Sequence, residues 1–234
     1  ISEEGGLKGS KNLEYDRIKS RKAVVLDSSG DVGNIIIQAP GQNKLSVKVL
    51  GKRAHAGISP ESGISAIQVA SEAISKMKLL RIDEETTANI GSFIGDSATN
   101  IVCPEVNIIA EVRSLCEDKL SIQTKHMIDC FKNAAEKNNT NIEYEISRMY
   151  EPFKIEDNDD ILKMVEKACE KLSIIPNKKS SGGGSDANIY NCNGIKAINL
   201  ATGMTKVHTN DEYIKIENLI KISKVVLELM IMPQ

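Results

Sequence analysis

Apolar residues form short runs and helical repeats near both ends of the chain. Runs at residues 23–26 and 34–37 flank a turn sequence rich in serine and glycine, which predicts two strands joined by a turn. Further along, apolar residues at helical spacing predict helices over 161–172 and 219–229, with a short buried strand at 197–200 between them. Strands and helices that alternate in this way are typical of an α/β domain.

The middle of the chain carries a separate pattern. Its predicted strands alternate apolar and polar residues, and its predicted helices place apolar residues at helical spacing. The order is βαββαβ, with elements near 45–49, 64–77, 86–90, 106–112, 120–135 and 142–146. This order is typical of a ferredoxin-like sandwich, in which two helices cover a four-stranded sheet. We therefore predict an α/β domain in two parts, residues 1–42 and 150–234, interrupted by an inserted domain at residues 43–149.

Composition narrows the range of functions. The formal net charge is −2 and no basic block occurs, which argues against nucleic acid as a partner. No apolar run approaches the roughly 20 residues of a membrane span, which argues against a membrane protein. The five cysteines are an odd number without CxxC spacing, so a disulfide framework is not expected and a reducing cytoplasm is. Aromatic residues are only 3% of the chain, so its core must be aliphatic.

Acidic residues at two positions suggest hydrolytic chemistry. Glu3 and Glu4 are adjacent and precede two glycines, so on a loop one carboxylate can bind a metal while the other takes a proton from the metal-bound water. A solvated acidic turn is the alternative interpretation. Asp27 ends the apolar run at 24–26, where strands of an α/β sheet present side chains to a ligand. A cap for the following turn would explain Asp27 equally well.

Two of the three histidines occupy positions that suit a catalytic site. His208 lies in a polar loop, and together with Glu4 and Asp27 it would supply three oxygen and nitrogen ligands of the kind that zinc takes. His55 follows the first strand of the inserted domain and has small neighbours, so a substrate could approach closely and its imidazole could stabilise an oxyanion. The remaining histidine, His126, lies on a predicted amphipathic helix and is interpreted as a surface residue.

Three further positions are candidates for substrate binding. Arg113 ends an alternating strand, where a guanidinium can hold a carboxylate through two hydrogen bonds or form an ordinary salt bridge. Asn100 could do similar polar work. The glycine run that ends in Gly183, Gly184, Ser185 and Asp186 precedes a predicted helix, whose first backbone N–H groups can bind a carboxylate or a carbonyl. No Gly-Lys-Ser/Thr follows, so a phosphate loop is excluded, while a plain flexible loop stays open.

The order of these motifs resembles a known family. Taken together they are similar to the peptidase T-like branch of the two-zinc aminoacylase and carboxypeptidase superfamily, over essentially the whole chain. The motifs are Ser-Glu-Glu-Gly-Gly at 2–6, Leu-Asp-Ser-Ser-Gly at 26–30, Gly-Lys-Arg-Ala-His-Ala-Gly at 51–57, Gly-Gly-Gly-Ser-Asp-Ala-Asn at 182–188 and Val-His-Thr-Asn-Asp-Glu at 207–212. The resemblance implies a zinc-peptidase-like catalytic domain that is interrupted by a ferredoxin-like lid and dimerisation domain.

The resemblance also implies a role for each candidate residue. Glu3 matches the general base, Glu4 and His208 match ligands of one zinc ion, and Asp27 matches a ligand of the other. His55 matches a lid histidine that polarises the scissile carbonyl, often across a subunit interface. The residues matched to substrate binding are Asn100, Arg113, Gly183, Gly184, Ser185 and Asp186.

The family places its first metal-binding histidine and a bridging aspartate ahead of the Glu-Glu pair. We therefore expect this chain to lack an N-terminal part of the catalytic domain and to be inactive alone. The function expected for the complete protein is zinc-dependent cleavage of short peptides, with tripeptides as the substrates of an aminopeptidase. Two alternatives stay open: an amidohydrolase or carboxypeptidase acting on N-acyl amino acids, and a metal-free binding or dimerisation module. A homodimer through the inserted domain is the expected assembly.

Overall fold

The computed structural model describes residues 6–232, so Glu3 and Glu4 lie outside the described residues. Its helices are α1 (Lys8–Lys11), α2 (Ala66–Ser75), α3 (Glu117–Lys137), α4 (Asp160–Lys171), α5 (Asp186–Cys192) and α6 (Ile216–Ile231). Its strands are β1 (Lys22–Ser29), β2 (Asn34–Ala39), β3 (Gly41–Leu50), β4 (Leu80–Arg81), β5 (Thr86–Ile94), β6 (Glu105–Ser114), β7 (Ile142–Tyr150), β8 (Phe153–Lys154), β9 (Asn177–Ser180), β10 (Lys196–Thr205) and β11 (Tyr213–Ile214). The chain divides into two compact units: unit 1 (residues 1–40 and 150–234) and unit 2 (Gly41–Met149).

Unit 1 is built on a mixed six-stranded sheet. Its strands follow the order β1-β10-β2-β8, with β11 paired to β10 and β9 paired to β2. β1 and β10 run parallel, whereas β10 and β2 run antiparallel. Helix α4 begins where the Asp159 side chain accepts a hydrogen bond from the backbone N–H of Ile161, and its apolar face joins a core that includes Ile35, Leu162 and Ile198. This core fixes the strand ends that carry the candidate metal ligands.

Unit 2 has the predicted βαββαβ elements and one additional strand. Its sheet follows the order β4-β5-β6-β3-β7, so it has five strands where the sequence pattern indicates four. The extra strand, β4, has only two residues, and alternation cannot be recognised over so short a segment. Alternate residues of β3 and β6 are buried, and they form one core with α2 and α3. The helices therefore cover one face of this sheet.

Strand β1 forms one edge of the unit 1 sheet, beside an exposed apolar surface. Within residues 6–232, β1 pairs only with β10. A groove between β1 and α6, which we call the β1–α6 groove, is lined by apolar side chains that include Leu26, Val226, Leu229 and Met230. Despite this apolar character, no helix in the described part of the chain is long and apolar enough to cross a membrane.

Candidate active site

Asp27 and His208 lie at the same edge of the unit 1 sheet. Asp27 is near the end of β1, and His208 follows the end of β10, the parallel neighbour of β1. The carboxyl ends of parallel strands meet at one edge of a sheet, where ligands of α/β proteins bind. Both side chains are exposed. The fold thus places two predicted metal ligands, far apart in sequence, at one edge of the sheet.

The backbone of Asp27 is held by the side chain of Asn199. The regular pairing of β1 with β10 shifts between Val25 and Ser28, which leaves Asp27 in an irregular segment. There the N–H of Asp27 donates to Oδ1 of Asn199 at 2.9 Å, and Nδ2 of Asn199 donates to the carbonyl oxygen of Asp27 at 3.0 Å. Asn199 is only 5% exposed. Its amide therefore takes the place of two hydrogen bonds between the strands. It fixes the backbone of Asp27, from which the carboxylate extends.

His208 is held by the short connection between β10 and β11. The two strands pair through Met204 with Ile214 and Thr205 with Tyr213, which closes a hairpin. Within the loop, His208 adopts a left-handed backbone conformation with φ of 63°, a conformation in which histidine is enriched among non-glycine residues. Its N–H donates to Oε2 of Glu212 at 3.0 Å. The hairpin thus keeps the imidazole beside the end of β10.

The described part of the site contains two of the predicted metal ligands. One carboxylate from Asp27 and one imidazole from His208 are the oxygen and nitrogen donors that zinc accepts. Between residues 6 and 232, no group of three or more His, Cys, Asp or Glu side chains could hold a metal ion. The third predicted ligand, Glu4, falls outside this range. The donor chemistry at the β1–β10 edge therefore fits a zinc-type ion, with two donors contributed by the described residues.

His55 and Asn100 are brought together at one end of the unit 2 sheet. His55 follows β3 and Asn100 precedes β6, and the two loops are joined by a hydrogen bond of 2.8 Å from the N–H of Ala56 to the carbonyl oxygen of Asn100. The N–H of Gly57 donates to Nδ1 of His55 at 3.2 Å. Because Nδ1 accepts this bond, a neutral imidazole carries its proton on Nε2. His55 is exposed, so it offers a donor of the kind that stabilises an oxyanion.

Arg113 lies at the opposite end of the same sheet. It pairs with Gln42, next to the point where the chain enters unit 2. At about 3.3 Å per residue, the stretch of β6 from Glu105 to Arg113 spans roughly 26 Å. Nε and Nη2 of Arg113 donate to the two carboxylate oxygens of Glu111 at 2.9 and 3.0 Å. Unit 2 therefore unites His55 with Asn100 but separates both of them from Arg113.

The glycine-rich loop of residues 182–185 connects β9 with α5. Ser185 begins α5 as its N-cap, and it forms a capping box with Asn188. The N–H of Gly184 donates to Oη of Tyr150 at 3.2 Å. A Cβ atom at Gly184 would lie 2.4 Å from Cε2 and Cζ of Tyr150, so the close approach of this ring requires glycine. The loop is therefore ordered by its neighbours.

Asp186 connects this loop to the segment that follows the Glu3–Glu4 pair. Its Oδ1 accepts a hydrogen bond of 2.6 Å from Oγ of Ser10, a buried residue of α1. Oη of Tyr15 in turn donates to the carbonyl oxygen of Ser10 at 2.9 Å. The carboxylate thus fixes α1 against α5, a positioning role that the sequence analysis did not foresee for Asp186. The burial of Ser10 could not be predicted from the sequence, because α1 is short and polar.

Comparisons with known proteins agree with this architecture. Residues 38–139 match the family described as a peptidase dimerisation domain. The chain is 48% identical over 226 residues to YqjE of Bacillus subtilis, covering 97% of this chain and 61% of that protein. It is 24% identical over 225 residues to peptidase T of Clostridium perfringens, covering 94% of this chain and 55% of that protein. The chain thus spans less than two thirds of the length of these curated relatives.

Solved structures give the same picture. Aminopeptidase PepT from Bacillus cereus superposes with a TM-score of 0.92 at 44% identity, covering 98% of this chain and 61% of that chain. A tripeptidase from Staphylococcus aureus superposes with a TM-score of 0.94 at 41% identity, with the same coverage of 98% and 61%. The predicted α/β class with an inserted domain similar to a peptidase dimerisation domain is confirmed. Residues 38–139 are therefore similar to the M20 peptidase dimerisation domain, and the chain resembles, over nearly its whole length, the peptidase T-like branch of the metallopeptidases.

Proposed function

We propose that this chain is part of a metal-dependent aminopeptidase that cleaves short peptides, with tripeptides as its substrate class. The observation that carries the proposal is the position of Asp27 and His208 at the same β1–β10 edge, in a chain more than 40% identical to solved structures named as a PepT aminopeptidase and a tripeptidase. We further propose that the protein is cytoplasmic. Within the described residues all five cysteines are free, as in a reducing compartment.

Two metal ions would be held at this edge, one by Glu4 and His208 and the other with Asp27 as a ligand. Zinc is the ion that we propose, since carboxylate and imidazole ligands suit it. When bound, such an ion lowers the pKa of a water molecule and polarises the substrate carbonyl. Asn199 supports this arrangement by fixing the backbone of Asp27. The hairpin that holds His208 does the same for the second ligand.

The remaining residues would move a proton and hold the peptide. Glu3 accepts a proton from the attacking water and returns it to the leaving amine. His55, with Nδ1 occupied by the N–H of Gly57, donates from Nε2 to the carbonyl oxygen as negative charge develops there. Arg113 would bind the peptide carboxylate, with its guanidinium plane set by the paired bonds to Glu111. The glycine-rich loop would contact the peptide, while the N–H groups of Gly184 and Ser185 keep their bonds within the protein.

The separation between the ends of unit 2 supports a homodimer. A tripeptide spans only about 10 Å when extended, whereas His55 and Arg113 lie at opposite ends of a sheet about 26 Å long. One copy of unit 2 therefore cannot place both residues on one tripeptide. We propose that His55 and Asn100 are supplied by a second copy of this chain, in keeping with the match of residues 38–139 to a peptidase dimerisation domain.

Replacement of Glu3 tests the assigned proton transfer. In a longer protein that contains this chain and cleaves tripeptides, Glu3→Gln should lower kcat by about 100-fold or more while metal content stays constant, because only the base is lost. Glu14→Gln is the matched control, since Glu14 is exposed and forms a surface ion pair with Arg17. Unchanged turnover in Glu3→Gln would remove Glu3 from the role of base.

A substrate panel tests the reaction class. Tripeptides with a free N-terminus should be cleaved, and N-acylated amino acids should be left intact. The opposite preference would replace the proposed aminopeptidase with an amidohydrolase or a carboxypeptidase. Hydrolysis of neither class by a metal-loaded complete protein would favour a binding or dimerisation module.

A further inference from the structure

The chain passes between the two units twice, and the unit 1 ends of both crossings lie side by side. It leaves unit 1 after Pro40 and returns at Tyr150. We call residues 38–40 the outgoing crossing and residues 150–154 the returning crossing. The pairing of β2 with β8 joins them through Gln38 with Lys154 and Ala39 with Phe153, and there the pairing ends.

Both crossings contain a proline where the pairing ends. Pro40 follows Ala39, and Pro152 precedes Phe153. Proline has no backbone N–H, so neither residue can donate a hydrogen bond to a neighbouring strand. The carbonyl groups around these prolines need donors from elsewhere, because buried carbonyl groups are nearly always hydrogen-bonded. Pro40 itself is buried.

Asn188 of α5 supplies these donors. Its Nδ2 donates to the carbonyl oxygen of Pro40 at 3.0 Å and to the carbonyl oxygen of Glu151 at 2.8 Å. One amide group therefore bridges the outgoing and the returning crossing. Asn188 is 1% exposed, so water does not compete for these bonds. We call this arrangement the Asn188 bridge.

The orientation of the Asn188 amide is determined by its partners. Oδ1 accepts a hydrogen bond of 3.0 Å from the N–H of Ser185, while Nδ2 faces two carbonyl oxygens. Exchanging the oxygen and the nitrogen would set a donor against a donor and an acceptor against two acceptors. The bond to Ser185 also ties the bridge to the end of the glycine-rich loop. A second tie runs from the N–H of Gly184 to Oη of Tyr150 in the returning crossing.

We propose that Asn188 is a positioning residue of the peptidase, which couples the glycine-rich loop to the two crossings that carry unit 2. This inference rests on the proposed function in one respect, the binding of a peptide by the loop. A peptide bound to the loop would act on the bridge through Ser185, and the bridge in turn restrains the two crossings that connect unit 1 with unit 2. Asn188 itself does not need to touch the peptide. Its effect on turnover passes through the placement of unit 2.

Replacement of Asn188 by aspartate removes the bridge and leaves the helix cap. The side chains have the same shape, and one carboxylate oxygen can still accept the N–H of Ser185. The other oxygen would face the carbonyl oxygens of Pro40 and Glu151 and repel both. Asn191 offers a closely matched control in the same helix. Its Nδ2 donates to two carbonyl oxygens, those of Ala187 and Ala197, and its Oδ1 accepts the N–H of Ala197.

Hydrogen exchange of the 234-residue chain, followed by mass spectrometry, measures the crossings directly. Asn188→Asp should accelerate exchange in peptides that cover residues 36–43 and 148–155 by about tenfold, whereas Asn191→Asp should change it by less than about twofold. Circular dichroism checks that both variants are folded. Asn188→Ala, which introduces no charge, is the second variant if the aspartate prevents folding. Equal acceleration by the variants at 188 and 191, or no acceleration by either, would refute the inference that the Asn188 bridge restrains the two crossings.

Kinetics in a longer protein that contains this chain test the coupling. Asn188→Asp should lower kcat for a tripeptide by about tenfold, with KM and metal content nearly unchanged, because misplacement of a lid affects the transition state. A parallel fall in Asn191→Asp would reduce Asn188 to a structural residue and overturn the coupling. Lack of tripeptidase activity in the unmodified protein would refute the proposed function, and the exchange result would still decide on the bridge.

Discussion

The close contact between Gly184 and Tyr150 gives a sharp test of how the glycine-rich loop is held. In Gly184→Ala, the new methyl group would lie 2.4 Å from two ring carbons of Tyr150, a separation at which one of the groups must move. Tyr150 is only 9% exposed, so its ring has little room. Overpacking of this kind costs about 1–3 kcal/mol, and displacement of Oη from the N–H of Gly184 adds about 1 kcal/mol. The expected loss of unfolding free energy is therefore about 2–4 kcal/mol.

Urea denaturation followed by circular dichroism measures this loss, and Gly182 provides the control. A Cβ atom at Gly182 meets no atom within 4 Å, so Gly182→Ala should change the unfolding free energy by no more than about 0.5 kcal/mol. The Gly184→Ala substitution should also cost little in a Tyr150→Ala background, because the clash is then absent. Equal stabilities of Gly182→Ala and Gly184→Ala, each alone, would refute the assignment of the loop conformation to this contact.

Further predictions concern the remaining parts of the site. Asn199→Ala should lower the unfolding free energy by about 2 kcal/mol in the same assay, because the N–H and the carbonyl of Asp27 both lose their partner. Burial, followed by repulsion from Tyr190, raises the pKa of Tyr15 from 10.0 to about 12. The folded chain therefore favours the neutral phenol, so the stability from this group is complete below pH 10 and is lost as the pH rises through about 12. Tyr15→Phe should flatten that part of the pH profile of the urea midpoint, and an unchanged profile would contradict the assignment. In the complete enzyme, mixing inactive His55→Ala and Arg113→Ala chains should restore about a quarter of the wild-type sites, measured as tripeptide turnover. No restoration after verified subunit exchange would contradict the shared site.

The central elements of the fold could be predicted from the sequence because their burial is periodic. In β3, β6 and α4, buried residues recur with the period of a strand or a helix. Strand β9 (Asn177–Ser180) could not be predicted this way, since all four of its residues are exposed and polar or charged. Short strands such as β8 and β11 are defined by their partners, which lie far away in sequence.

The residues of the candidate site also fall into two groups, those that could be proposed from the sequence and those that could not. Asp27, His55, His208 and Arg113 could be proposed because their side-chain types carry chemistry, and their placement at strand ends followed from local pattern. Residues that position other residues could not be proposed from the sequence, because their role consists of contacts between segments that are far apart in sequence. Asn199 was recognisable only as a polar residue within an apolar strand. Other positioning residues of this kind are Ser10, Tyr150 and Asn188.

The open edge at β1 affects how the chain behaves in solution. Leu26 is 43% exposed, Leu219 is 51% exposed and Met230 is 77% exposed. Beside them, β1 pairs with β10 on one side, and no strand of the described residues pairs with its other side. An apolar surface next to such a strand edge is a template for intermolecular β-pairing. Purified at high concentration, the chain should therefore form concentration-dependent assemblies and bind hydrophobic dyes. A charged residue in place of Leu26 should raise its solubility limit without disturbing the interior of either unit.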